Sequence, residues 1–103
     1  MDNLPEWLVP GALVEFALCV GQVVDVAVST ERVMVLVKSP KGIWRNHSAE
    51  WLEYKPEAIK PATPERAARE LELYRGYIRK MLTEMDGLAD EWINVTQTRR
   101  VSA

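Results

Sequence analysis

The chain has 103 residues, 48% hydrophobic and 27% charged, with a net charge of -2 and a pI near 5.4. That composition suits one small globular domain plus an appendage and excludes a disordered chain. Its mild acidity argues against non-specific nucleic-acid binding, which needs a basic surface to displace counterions from phosphates.

The opening "MDNLPEWLVPG" is acidic and interrupted by two prolines, which is not the pattern of a signal peptide. The apolar runs are short and broken by charges, so no transmembrane helix is expected. Cys19 is the lone cysteine, so no internal disulfide can form, and a reducing, cytoplasmic setting is expected. It sits in the apolar run "VEFALCV" and reads as a small buried hydrophobe.

Pro10-Gly11 signals a turn, and Ala12 to Val20 ("ALVEFALCV") reads as the first strand. Gly21 to Ser29 and Arg32 to Ser39 are Val-rich and read as strands two and three, joined by a turn at "STER". Val24, Val26 and Val28, and then Val33, Val35 and Val37, recur every second residue, so each set lines one strand face. The opposite faces also carry Val23, Met34 and Leu36 and so call for a cover. "SPKG" reads as a tight turn and Ile43 to His47 as a short fourth strand. Ser48 to Tyr54 reads as a helical turn capped by Ser48, leading into a last short strand, with Trp51 and Leu52 plugging the end of the fold. Residues 55–63, with three prolines in or beside them, read as a linker.

Thr63 is a good N-cap, Pro64 suits the first helical position and Glu65 complements the helix dipole. A helix is expected over 64–93, weakened at Gly87, with a fraying tail over 94–103. Ala67, Leu71, Tyr74, Ile78, Met81, Met85, Leu88 and Trp92 are spaced alternately by four and three, an unbroken heptad seam flanked by Tyr77, Leu82 and Ala89. A helix of that length would extend roughly 45 Å. Strands of a small sheet run only about 17–20 Å. The sheet alone cannot cover the whole seam.

The pattern "PGALVEF", "GQVVDV", "RVMVLV", "GIWRNHSAEWLEY" resembles the SH3-like small β-barrel, in its KOW/Tudor-like branch, over about residues 8–54. The resemblance implies a β + α fold class: a five-stranded SH3-like barrel over 1–54, followed by the long amphipathic, coiled-coil-like helix. Such barrels are usually binding modules for proteins or nucleic acids. The loop after the first strand is often glycine-rich and basic in the nucleic-acid-binding relatives. Here it is "ALCV", short and apolar, which fits a buried or partner-facing edge better.

His47, Ser48 and Glu50 are a tempting hydrolase set, but neighbouring strand residues point to opposite faces, and Ser48 and Glu50 suit a helix start. Enzymatic activity is therefore not expected. One His and one Cys form no metal-ligand spacing, and no Gly-rich phosphate loop is present, so neither metal nor cofactor is expected. Trp44, Arg45, His47 and Trp51 are expected to form an aromatic and basic partner-binding face, with Trp44 either outward or packed against the helix or Trp7.

The expected function is that of a non-enzymatic protein-binding adaptor or inhibitor, of which a phage-type anti-defence protein is one form. It would homodimerise or dock a partner through Leu71, Tyr74, Ile78, Met81, Met85, Leu88 and Trp92. The alternative is a nucleic-acid or ribonucleoprotein module using Lys38, Lys41, Arg45, Arg66, Arg69, Arg75, Arg79 and Lys80.

Overall fold

The computed structural model describes the backbone of residues 4–102 and the side chains of residues 4–97. In chain order the elements are β1 (Leu13–Phe16), β2 (Cys19–Val28), β3 (Val33–Lys38), α1 (Pro40–Trp44), β4 (Glu50–Glu53), β5 (Lys60–Pro61) and α2 (Pro64–Ser102). The five strands form one antiparallel sheet in the order β4-β3-β2-β1-β5.

The chain enters the sheet through a turn in which Ala12 N–H donates to the Val9 carbonyl at 3.0 Å. Pro10 fixes φ at the second position of this turn, and Gly11 takes φ +95° at the third, where a side chain would be strained. The expected first strand is a hairpin instead. Phe16 pairs with Cys19 across a two-residue loop, with Ala17 and Leu18 at φ 46° and 64°. Positive φ at both loop residues matches the right-handed twist of the strands, as in type I′ hairpins. Asn and Gly normally fill such loops, so the apolar "ALCV" conceals the turn.

β2 and β3 carry the core. Val33, Val35 and Val37 are all buried, as the alternation predicts. On β2 the expected register fails at Val24. The pairing steps from Val23↔Val37 to Asp25↔Leu36, which leaves Val24 as a bulge on an exposed site. The bulge reverses the parity, so Val23 and Val26, not Val24 and Val26, face the same side. At Gly21 the sheet is tight: an added Cβ would lie 2.5 Å from Val37 Cγ1 and 2.8 Å from the Lys38 carbonyl oxygen.

The fourth expected strand, Ile43 to His47, is helical up to Trp44. Ser39 is the N-cap, its Oγ accepting from Gly42 N–H at 2.9 Å, and Pro40 occupies the first turn. Asn46, at φ 64°, ends α1. Its N–H donates to the Ile43 carbonyl and that of His47 to the Gly42 carbonyl, the paired bonds of a Schellman cap. The strand comes later, at β4, where the expected helical turn at Ser48 is absent. Within β4, Leu52 packs on the core while Trp51 is 47% exposed, so Trp51 plugs nothing. The helical turn falls after β4 instead, where Ala58 and Ile59 N–H donate to the Lys55 carbonyl.

Residues 55–63 are part of the domain and not a linker. Ile59 is buried with Leu8, Val14 and Val35, and β5 pairs with β1 through Val14↔Pro61 and Glu15↔Lys60. Two prolines in this stretch are tolerated because β5 is a two-residue edge strand. On the other side of the core Trp7 meets Tyr54 edge to face at 6.5 Å.

α2 starts as expected: Arg66 N–H donates to Thr63 Oγ1 at 3.1 Å, with Pro64 and Glu65 in the first turn. It then runs 39 residues without a break at Gly87 and without the expected tail beyond Ile93. The last residue of that expected tail, Ala103, lies outside the described residues. At 1.5 Å per residue the helix is about 58 Å long. It accounts for the extents of 75 × 29 × 18 Å.

Candidate functional site

α2 divides into two parts with different surroundings. Its first turns lie against β2 and α1. Arg66, Ala67, Tyr74 and Ile78 are half-buried there, and Glu70 is 7% exposed. The position of Glu70 follows from the hairpin. Phe16 and Cys19 flank a two-residue loop, so they form a hydrogen-bonded pair, and Val20 is then a non-hydrogen-bonded position toward β1. Its N–H points away from β1, where β3 would continue. β3 begins its pairing only at Gln22↔Lys38, because the chain turns into α1 after Lys38. Glu70 fills the gap: its Oε2 accepts the hydrogen bond from Val20 N–H. Arg66 stands 3.6 Å from Glu70 and 3.8 Å from Glu15 on β1. A buried acid thus completes a sheet donor and ties the helix to the domain.

Aromatic rings extend this contact. Trp44, at the end of α1, lies 5.6 Å from Tyr77, which meets Tyr74 edge to face at 5.4 Å. The Tyr74 phenol is pushed above its ordinary value of 10.0, first by loss of solvent, then by the charges of Cys19, Glu70 and Tyr77, against a lowering by Arg45.

Beyond Ile78 nothing in the described chain covers the helix. Every residue from Arg79 to Gln97 is exposed, including Met81, Met85 at 62%, Leu88 and Trp92 at 63%. Leu82, Ile93 and Val95 are exposed beside them. At 100° per residue these side chains occupy one face, and the charged residues flank it or lie behind it. The predicted helix set therefore splits. Tyr74 and Ile78 are half-buried within the chain, Leu71 is at the border of that contact, and Met81, Met85, Leu88 and Trp92 stand free.

The predicted barrel face splits as well. Arg45 and His47 both line a cleft of about 240 Å³ at the open end of the sheet. Its apolar lining comes from Phe16, Cys19, Val37 and Leu52, and its polar rim also includes Lys41, Ser48 and Glu50. Trp44 leaves this group to pack on Tyr77, and Trp51 lies on the other side of the sheet from Leu52, opposite Leu36 in register. His47, Ser48 and Glu50 do share the cleft, yet no hydrogen bond joins His47 to either among the described residues. Cys19 is buried, with its Sγ 3.4 Å from the Ala17 carbonyl.

Sequence reasoning missed Glu70, Tyr77 as a docking residue and the Ala17-Leu18 tip. Arg66 four residues before Glu70 is the only local signal for that acid, and such i, i+4 pairs are common on solvated helix faces. Among the described residues no group of His, Cys, Asp and Glu could hold a metal ion, and no helix is long and apolar enough to cross a membrane. Comparison with family models, curated proteins and solved structures returned no match.

Proposed function

We propose that the protein is a non-enzymatic, protein-binding adaptor or inhibitor whose docking element is the distal half of α2. One observation carries this: a wide apolar stripe, from Met81 to Val95, that this chain leaves exposed to water. Contiguous exposed apolar surface on a small protein marks an interaction site more often than chance. Met and Trp are adaptable, large-area contact residues suited to it.

The small domain then acts as a rigid mount. Its strand order, and the helical turn at 55–59 before the short β5, support the SH3-like barrel reading. Arg45, His47 and the cleft beside them supply a second, more polar surface to a bound protein. The nucleic-acid alternative is disfavoured by the ion pairs. Arg75 and Arg79 both meet Glu72, at 3.7 and 3.0 Å, and Arg66 is engaged by Glu15 and Glu70. These carboxylates compete with phosphate for the same cations.

Photo-cross-linking in cells expressing the protein tests the reading. A photoreactive residue at Met85 or Leu88 is expected to give protein adducts, and one at Thr83 or Asn94, behind the stripe, far fewer. Adducts to nucleic acid, or no adducts from the stripe, would overturn it.

A further inference from the structure

We propose that the occupant of the stripe is a basic amphipathic helix of another protein, its apolar face bordered by Lys or Arg. This rests on the reading that distal α2 docks protein, and adds the chemistry of the partner.

The first support is the charge around the stripe. From Met81 to Gln97 the helix carries four acidic residues (Glu84, Asp86, Asp90, Glu91) and no Lys, Arg or His. From Arg66 to Lys80 the balance is the reverse, with five basic residues against Glu70 and Glu72. At about 100° per residue the apolar side chains from Met81 to Val95 span an arc of about 160°, bordered by Val95 on one side and Ile93 on the other. Glu84 and Glu91 stand about 20–40° outside the Val95 border, and Asp86 about 20° outside the Ile93 border. Both borders are therefore negative, and only Asp90 lies behind. Among the described residues none of these four carboxylates forms an ion pair, whereas Arg66, Arg75 and Arg79 each meet a carboxylate of this chain. Unpaired charge of one sign around an apolar surface selects a partner of the other sign.

The second support is the nature of the surface. The stripe offers side chains only, because the backbone of α2 bonds within the helix. Thr96, the polar residue inside the arc, turns its hydroxyl onto the Trp92 carbonyl at 2.9 Å. A strand or loop laid here would find no partner for its own backbone groups, whereas a helix satisfies them internally. Helical ridges also fit the grooves between side chains spaced by three and four, and Met81 and Met85 adapt to what enters them. From Met81 to Val95 the face is about 21 Å long, the length of a helix of about 15 residues. The sheet and α1 occupy the helix face only as far as Ile78, so such a helix lies wholly on the acidic half.

The third support is what the charge rejects. Nucleic acid and anionic lipid would meet both borders with like charge. A second copy with its stripe on this one would face the acidic run 84–91 with itself, in parallel or antiparallel order.

The test uses the full chain and three dye-labelled peptides of about 18 residues, five helical turns, read by fluorescence anisotropy. One is an amphipathic Leu/Lys helix, one its Leu/Glu counterpart with the same apolar face, and one a scrambled Leu/Lys sequence without an apolar face. The Leu/Lys helix is expected to bind, more weakly as salt is added, and the other two at least about tenfold more weakly. Glu84→Gln, Asp86→Asn and Glu91→Gln together, all at exposed sites, should weaken it about tenfold, the combined effect of three exposed ion pairs. Met85→Glu adds a charge that attracts a basic peptide, yet should abolish binding because it interrupts the apolar stripe. Equal binding of the Leu/Lys and Leu/Glu helices, or binding of neither, would overturn the basic partner and leave the docking helix standing. Equal binding of the scrambled peptide would overturn the amphipathic mode. A chain that is itself a dimer by light scattering at tens of micromolar, and a monomer as Met85→Glu, would put a second copy on the stripe and overturn the proposal, as would binding to vesicles of anionic lipid. Only failure of the cross-linking from Met85 and Leu88 reaches the underlying reading.

Discussion

Replacing Glu70 by Ala isolates the contact that fixes α2 on the sheet. Glu70 is 7% exposed, and its carboxylate accepts from Val20 N–H, a donor that neither β1 nor β3 can serve. Truncation removes a hydrogen bond to a charged group and leaves a buried N–H unpaired, a combined loss of about 1.5–3 kcal/mol. The Arg66 ion pair adds little, since that arginine is one-third exposed and keeps Glu15 within reach. For a domain of this size about 1 kcal/mol moves the melting temperature by about 4–8 °C. The drop expected for Glu70→Ala is therefore roughly 6–24 °C. Glu70→Gln keeps an acceptor oxygen and loses only the charge, so it should fall between wild type and Glu70→Ala. Urea titration followed by circular dichroism measures all three. A Glu70→Ala protein within about 0.5 kcal/mol of wild type would show that the helix is held by its apolar contacts alone, and the unserved Val20 donor would carry no weight.

Three further outcomes follow from the same geometry. Ala17→Asn with Leu18→Gly should raise stability by about 1–2 kcal/mol, because both positions have positive φ and Leu18, 94% exposed, has no packing to lose; a lowered urea midpoint would contradict the hairpin. Gly21→Ala should cost about 1–3 kcal/mol, since the new methyl meets the Lys38 carbonyl oxygen, which cannot rotate away; an unchanged melting temperature would refute that tight approach. Tyr74 has its folded pKa raised above the ordinary 10.0, so the folded state holds the phenol proton more tightly than the unfolded chain. Its contribution is fully present below pH 10 and is lost as pH rises through the higher folded value. Unfolding midpoints of wild type and Tyr74→Phe should therefore diverge above pH 10 and run parallel below it; parallel curves throughout would refute the shift.

The strands of the centre were legible because Val33, Val35 and Val37 alternate against a simple two-residue period. The hairpin before them was not, because its tip is Ala17-Leu18 and turn chemistry is read from Gly and Asn. α1 was hidden by β propensity. Ile43 and Trp44 favour strands, and Ser39-Pro40, a good helix start, looks the same as a turn. The cap at Asn46 becomes a signal only once the helix is assumed. Residues 55–63 read as a linker because prolines mask the single buried Ile59 that anchors them. The long helix and its seam were legible as far as Trp92, since apolar residues that alternate by three and four from Ala67 to Trp92 fall on one face only if the chain is helical, whereas its continuity through Gly87 and past Ile93 to Ser102 was not. Period shows which face is apolar and not what covers it. Hence one seam could serve the chain's own sheet up to Ile78 and stand free afterwards. Of the expected face, Arg45 and His47 meet at the cleft, but Trp44 and Trp51 were separated by α1 and by strand alternation, neither of which local spacing reveals.

Hydrogen exchange along α2, followed by mass spectrometry at two protein concentrations, tests the division of the helix most directly. Amides from Arg66 to Ile78, held against β2 and α1, should be protected equally at high and low concentration. Amides from Met81 to Val95, which nothing in the described chain covers, should exchange faster than these at the lower concentration. Protection of the distal segment at the lower concentration equal to that of Arg66 to Ile78 would contradict the account, because it would mean that this chain covers its own stripe.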